Sequence, residues 1–172
     1  MFDVLLVNFW VYIMKVWIVH DSNLGNGEIL AKTLGKTFEK DMEVNIGHVK
    51  KIDPAKVVAD SPDIVVVGAA VRAFMTSFTS KKWIRRLHKE LKKANKTVKI
   101  GATFLTHIMP EKMVAGRGNR LNNLLAKSPN VTSVYSEYLD GRVVAAEGPF
   151  EDYVLGEVEK HAVEILKLLK KK

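Results

Sequence analysis

Cysteine is absent from the 172 residues, which removes disulfides, thiolate nucleophiles and zinc–thiolate sites at once. Glutamine is absent too, while Lys and Glu are plentiful, a bias found in proteins from hot habitats. Histidine is sparse: among His20, His48, His88, His107 and His161 no two lie three or four residues apart, so no paired-histidine metal motif is announced. Four of them read as structural, and His107 stays open because of the loop in which it falls. Linkers and low-complexity stretches are also lacking. With 47% hydrophobic and 27% charged residues, the chain is most simply one globular domain with a full core.

A membrane-length apolar run is the last absence. Residues 1–13 are nearly all apolar, but a bilayer span needs about 20 such residues. A secretory signal needs a basic start and small cleavage residues, and neither is present. The expectation is no stable membrane insertion and a cytoplasmic location. Met14-Lys15 directly precedes a strand pattern and looks like a natural start. Residues 1–13 are therefore expected to be an upstream extension and 14–172 the single domain, the alternative being a hydrophobic arm for dimer or membrane contact.

What is present begins with charge. The net charge is +8, and the stretch Lys81–Lys96 alone holds eight Lys or Arg against one Glu. No nucleic-acid motif accompanies it, so the two readings are a solvated helix face and a docking face for an acidic partner.

From Lys15 onward, strand and helix patterns alternate. Val16–His20 reads as strand one, and Leu30, Ala31, Leu34 and Phe38 mark a helical face. Glu43–Val49 is a weaker second strand, and Asp53-Pro54 starts a short helix. Asp63–Gly68 is a continuous apolar run, as suits a strand buried on both faces of a parallel sheet. Ser80 is the expected cap of a helix with Ile84, Leu87, Leu91 and Ala94 on its inner side. Thr97–Leu105 is strand four. A loop is expected through Pro110 and Gly116-Arg117-Gly118 before a helix at Leu121. Val131–Glu147 is strand five, broken by a turn at Asp140-Gly141-Arg142, and Val154 to Leu169 closes the chain as a helix. The pattern predicts an α/β three-layer sandwich: a five-stranded parallel sheet with helices on both faces. Ligands in such folds lie beyond the carboxyl ends of the strands, where the segments 21–27, 69–79 and 106–118 meet.

The first of these, His20-Asp21-Ser22-Asn23-Leu24-Gly25-Asn26-Gly27-Glu28, links strand one to a helix. Its glycines permit a sharp turn and close ligand approach, and the first helical amides lack internal partners. It reads either as an anion cradle or as an ordinary β-to-α turn.

Ser22-x-x-Gly25-Asn26-Gly27, with Ala31 four residues on, resembles the phosphate loop of flavodoxin-like proteins, usually Ser/Thr-x-x-Gly-Asn-Thr. The resemblance covers about residues 14–170 and implies strand order 2-1-3-4-5 and bound flavin mononucleotide (FMN). It places the phosphate on Ser22, Asn23, Leu24, Gly25, Asn26 and Gly27; the departure is Gly27, where a hydroxyl is usual. Gly68-Ala69-Ala70-Val71-Arg72 looks like the corresponding stretch of the menaquinone-dependent protoporphyrinogen dehydrogenase branch. There Phe74 is the candidate to cover a ring face, or else it plugs the sheet edge. Thr106, His107, Gly116, Arg117 and Gly118 fall in the segment that the family wraps around the far side of the ring; Arg117 reads equally as an exposed loop cation.

A flavin carries the redox chemistry itself, so no catalytic dyad is required. No Gly-x-Gly-x-x-Gly fingerprint supports a bound dinucleotide. The first reading is an FMN-binding electron-transfer protein served by a redox partner protein, acidic on this reading, that docks near Lys81–Lys96. The others are a quinone- or protoporphyrinogen-linked flavin dehydrogenase and a flavin-free interaction module, the last favoured by Gly27 and by the lack of Tyr or Trp in either ring-flanking segment.

Overall fold

The computed structural model describes residues 12–171; most of the expected N-terminal extension lies outside them. Twelve elements follow in order: β1 Lys15–His20, α1 Asn26–Phe38, β2 Glu43–His48, α2 Pro54–Asp60, β3 Ile64–Arg72, β4 Met75–Thr76, α3 Phe78–Ala94, β5 Val98–His107, α4 Glu111–Leu125, β6 Val131–Val134, β7 Leu139–Arg142 and α5 Val154–Lys170. The sheet runs β2-β1-β3-β5-β6, with these neighbours all parallel. Successive side chains on a strand point to opposite faces, and here both faces are apolar. Val16, Ile18, Ile64 and Val66 pack with α1 and α5. Trp17, Val19, Val65 and Val67 pack with α2, α3 and α4. Two cores thus sandwich one sheet.

Where the structure departs from the sequence pattern, packing explains it. Strand five is two segments, β6 and β7, each paired parallel with β5. The break falls at residues 135–138, whereas Asp140, Gly141 and Arg142 lie inside β7. Buried Asn122 supports the break: its Nδ2 donates to the Ser136 carbonyl at 3.0 Å and the Tyr135 carbonyl at 3.3 Å, while its Oδ1 accepts from the Thr103 hydroxyl. Gly116, Arg117 and Gly118 are helical, inside α4. A side chain at Gly118 would collide with the Tyr138 ring, so this glycine serves helix packing and not a loop. The cap of α3 is Ser77, whose side chain accepts from the Ser80 amide. Ser80 is instead fully buried, and its hydroxyl donates to the Gly68 carbonyl at 2.8 Å. Along α3, Trp83 joins Ile84, Leu87 and Leu91 in the core, and Ala94 is exposed.

Asp53 caps α2 as its spacing predicts, accepting from the Ala55 amide at 2.8 Å. At the amino end of the sheet, buried Asp63 accepts from the Tyr12 hydroxyl at 2.7 Å and the Lys15 amide at 2.9 Å, and pairs with Lys99 at 2.8 Å. Desolvation alone would raise the Asp63 pKa, but these donors hold it below the usual carboxylate range. No helix of the described residues is long and apolar enough to cross a membrane.

Candidate functional site

Beyond the carboxyl ends of β1, β3 and β5 lies a cleft of about 300 Å³. Four segments line it: Ser22, Asn23, Leu24 and Asn26; Ala70 through Phe74; Thr106 through Met109; and Val143 with Ala146.

The first segment leaves β1 and enters α1 through Gly25, whose φ of 91° is left-handed, a conformation that glycine adopts without steric cost. The Ser22 hydroxyl accepts from the Gly27 amide at 3.0 Å, capping the helix from five residues back. Gly27 is helical, and a Cβ there would stand 3.1 Å from the Ser22 Cβ. The close approach of Ser22 thus leaves little room for a side chain at 27 unless Ser22 shifts by a few tenths of an ångström. Among the described residues, the amides of Asn23, Leu24, Gly25 and Asn26 find no protein acceptor. They crowd the positive end of α1. Below them, His20 is buried against His48, with ring centroids 5.3 Å apart. Its Nδ1 accepts from the Ser22 amide at 3.3 Å. Burial, then the neighbouring His48, pushes the His20 pKa down.

Asp21 ties this segment to the second. The carboxylate is buried, and its Oδ1 accepts from the Ala70 amide at 2.7 Å. Arg72 returns from the end of β3, donating to the Asp21 carbonyl at 2.7 Å and standing 3.5 Å from Oδ2. Asp21 carries no motif, and only this pairing shows its role. The chain then reverses at Ala73-Phe74, between the paired residues Arg72 and Met75. Both turn residues are left-handed, with φ of 45° and 62°, where hairpins ordinarily place Asn-Gly. The Phe74 carbonyl accepts from Arg117 Nε at 2.6 Å, and the Phe74 ring is left 62% exposed beside the cleft.

The third segment rests on His107, whose side chain is fully buried. Its Nδ1 faces the Met109 carbonyl at 2.9 Å and its Nε2 faces the Asp140 carboxylate. The Met109 carbonyl only accepts, so Nδ1 donates to it, while Nε2 meets the Asp140 carboxyl group. Tyr153 donates to the other carboxylate oxygen at 3.1 Å, and burial together with that carboxylate pushes the Tyr153 pKa up to about 12. The network fixes the short turn 108–109 over the cleft.

The fourth segment is not legible as a site in the sequence. It joins the cleft because the Asn26 side chain donates to the Ala146 carbonyl at 2.8 Å. Of the residues singled out from sequence, Gly25, Gly27 and Ala69 shape the backbone without lining the cleft. Gly116, Arg117 and Gly118 stand away from it on α4, and Arg117 reaches only the Phe74 carbonyl at its margin. Ala73, Ile108, Met109, Val143 and Ala146 line the cleft and carried no distinguishing signal. No group of three or more His, Asp or Glu among the described residues is placed to hold a metal ion.

Among solved structures, Flavodoxin 1 from Bacillus cereus superposes with a TM-score of 0.67 at 15% identity, over 89% of this chain and 97% of its own. The chain has the flavodoxin fold. A flavodoxin from the domain Archaea shares the fold with a TM-score of 0.63 at 18% identity, over 91% of this chain and 99% of its own. Rubredoxin oxygen:oxidoreductase from Desulfovibrio gigas shares it with a TM-score of 0.71 at 16% identity, over 91% of this chain. The chain spans only 36% of that protein's length. No protein-family model matches the sequence, and no curated protein does. The order β2-β1-β3-β5-β6 corresponds to the 2-1-3-4-5 order implied by the sequence resemblance, once the hairpin strand β4 is set aside and the divided fifth strand is recognised.

Proposed function

We propose that the cleft holds FMN and that the protein transfers electrons to or from a redox partner protein. The observation that carries this is the set of acceptor-free amides from Asn23 to Asn26 at the amino end of α1, opening on the same cleft as the exposed Phe74 ring. The residues present fit the cofactor. Gly25 has nothing within 4 Å of a built Cβ, which leaves room for a phosphate against the backbone, and the helix dipole favours a dianion there.

Bound FMN supplies one- and two-electron redox chemistry; the protein's part is to hold and orient it. The Ser22 oxygen is occupied by the Gly27 amide, so its own hydrogen is free to donate to phosphate. Asn26 is oriented by the Ala146 carbonyl. Asp21 sits under the phosphate loop, but Ala70 and Arg72 engage its charge. Phe74 offers a ring face, and the turn 108–109 bounds the opposite side. A partner of acidic character would meet the exposed cations of α3, Lys82, Arg85, Lys89, Lys92 and Lys93.

A dehydrogenase acting on a small quinone or porphyrin would call on Arg72 as an anchor. Arg72 is already engaged by Asp21, so the carrier reading ranks first. Titration of the apoprotein with FMN is the test. Saturable quenching of flavin fluorescence, lost in Gly25→Val, is the expected result. Unquenched fluorescence at high micromolar flavin would leave a flavin-free interaction module as the function of the fold.

A further inference from the structure

Beside the flavin cleft and sharing Phe74 with it lies a second cavity of about 270 Å³. Phe74, Met75 and Leu121 give it an apolar lining. Its polar lining is Thr76, Lys81, Arg117 and Arg120, with no carboxylate among them. Three cations around one cavity repel each other, and neighbouring acids ordinarily relieve this. Here, among the described residues, Lys81, Arg117 and Arg120 take part in no ion pair. Arg117 spends two nitrogens on the Phe74 and Met113 carbonyls, which fixes it in place. Lys81 is half-buried, and no hydrogen bond to its ammonium is formed within the described residues.

We propose that this cavity is a second ligand site, for a small aromatic anion bearing a carboxylate or a phosphate. The acid would take the ammonium of Lys81, the guanidinium of Arg120 and the Thr76 hydroxyl, since a planar guanidinium matches either oxyanion. The ring would lie on Phe74, Met75 and Leu121. The cavity exceeds the volume of an inorganic ion, and its apolar half has no use for one. Because Phe74 borders both cavities, the occupant shares a wall with the flavin cleft. The site itself stands whether or not that cleft holds flavin.

The test is an amide NMR titration of the isotopically labelled full chain at fixed ionic strength, with phenyl phosphate, benzoate, inorganic phosphate and phenol. The expected result is saturable shifts at Thr76, Arg120 and Leu121 with phenyl phosphate or benzoate, the tighter of the two naming the acid group. Phenol and inorganic phosphate should bind at least tenfold more weakly. The double variant Lys81→Gln, Arg120→Gln keeps side-chain bulk and should lose at least tenfold in affinity with an unchanged thermal melt. Shifts confined to Asn23–Gly27, equal affinity for phenol, or unchanged affinity in the double variant would each overturn the proposal. Repeating the titration with saturating FMN separates the sites, because an anion on the phosphate loop would be displaced and one at Lys81 and Arg120 would remain.

Discussion

Ala73 and Phe74 occupy a backbone region that non-glycine residues rarely enter, at a cost on the order of 1 kcal/mol each. The hydrogen bond from Arg117 to the Phe74 carbonyl helps hold them there. A turn built of Asn-Gly would fold more easily but present no ring at the cleft. Phe74→Gly should therefore stabilise the fold by about 1 kcal/mol, a rise of roughly 2–4 °C in the melting temperature for a chain of this size. The same change should weaken FMN binding at least tenfold, and a thermal melt beside a flavin titration checks both. Undiminished affinity would mean that the exposed ring serves something other than the cofactor. Asp21 shows the converse economy at one residue: a single buried carboxylate receives the Ala70 amide and holds Arg72, joining two segments that are 49 residues apart.

Elements differ in how openly the sequence displays them. The strands of the central sheet are legible because both faces are buried, so Val16–Val19 and Ile64–Val67 are continuous apolar runs. The Ser22–Gly27 segment is legible because a strand-to-helix turn needs a φ that glycine supplies. α4 misleads because Gly116 and Gly118 look like loop residues, yet Gly118 is there to admit the Tyr138 ring from outside the helix. The fourth cleft segment is hidden because it contributes a backbone carbonyl, at Ala146, which any residue could offer. α5 carries a consequence of its own. His161 is buried with its ring 4.9 Å from that of Tyr135, and among the described residues its Nε2 has no hydrogen-bond partner. Burial pushes its pKa down to about 4. The folded chain keeps this ring neutral while the unfolded chain protonates it below an ordinary value near 6.5. Its contribution is intact above pH 6.5 and is lost progressively as pH falls to about 4, by up to about 3 kcal/mol. Urea denaturation at pH 7.5 and 4.5 should show a smaller acid loss in His161→Leu than in the parent. Equal losses would place the acid sensitivity elsewhere.

At the scale of the molecule, charge is segregated. The sequence is +8 overall, and α3 presents most of its cations to solvent, with Arg86 also paired to Asp53 at 2.6 Å. If this face receives an acidic redox protein, electron transfer should slow at least tenfold between about 0.05 and 0.5 M salt, as the Debye length shrinks from above 10 Å to a few. Charge reversal at Arg85 and Lys89 should reproduce that loss at low salt, while transfer to a neutral quinone stays unchanged. Salt-independent rates with the protein donor would remove α3 from the docking face. The divided fifth strand has a different consequence. β7 is held to β5 by its own short ladder and to α5 by packing, while Asn122 answers for the carbonyls of the break. Its ladder is thus separate from that of β6, and a local opening of β7 would have to release Asp140 from His107 and Leu139 from the core, but neither β6 nor the central strands. Amide hydrogen exchange should show β7 exchanging through a local event well below the global unfolding free energy, with β1 and β3 exchanging only on full unfolding. Since Asp140 in β7 holds His107 and Val143 directly follows β7, each such opening would loosen the cleft both at the turn 108–109 and at Val143 while the rest of the sheet stays closed.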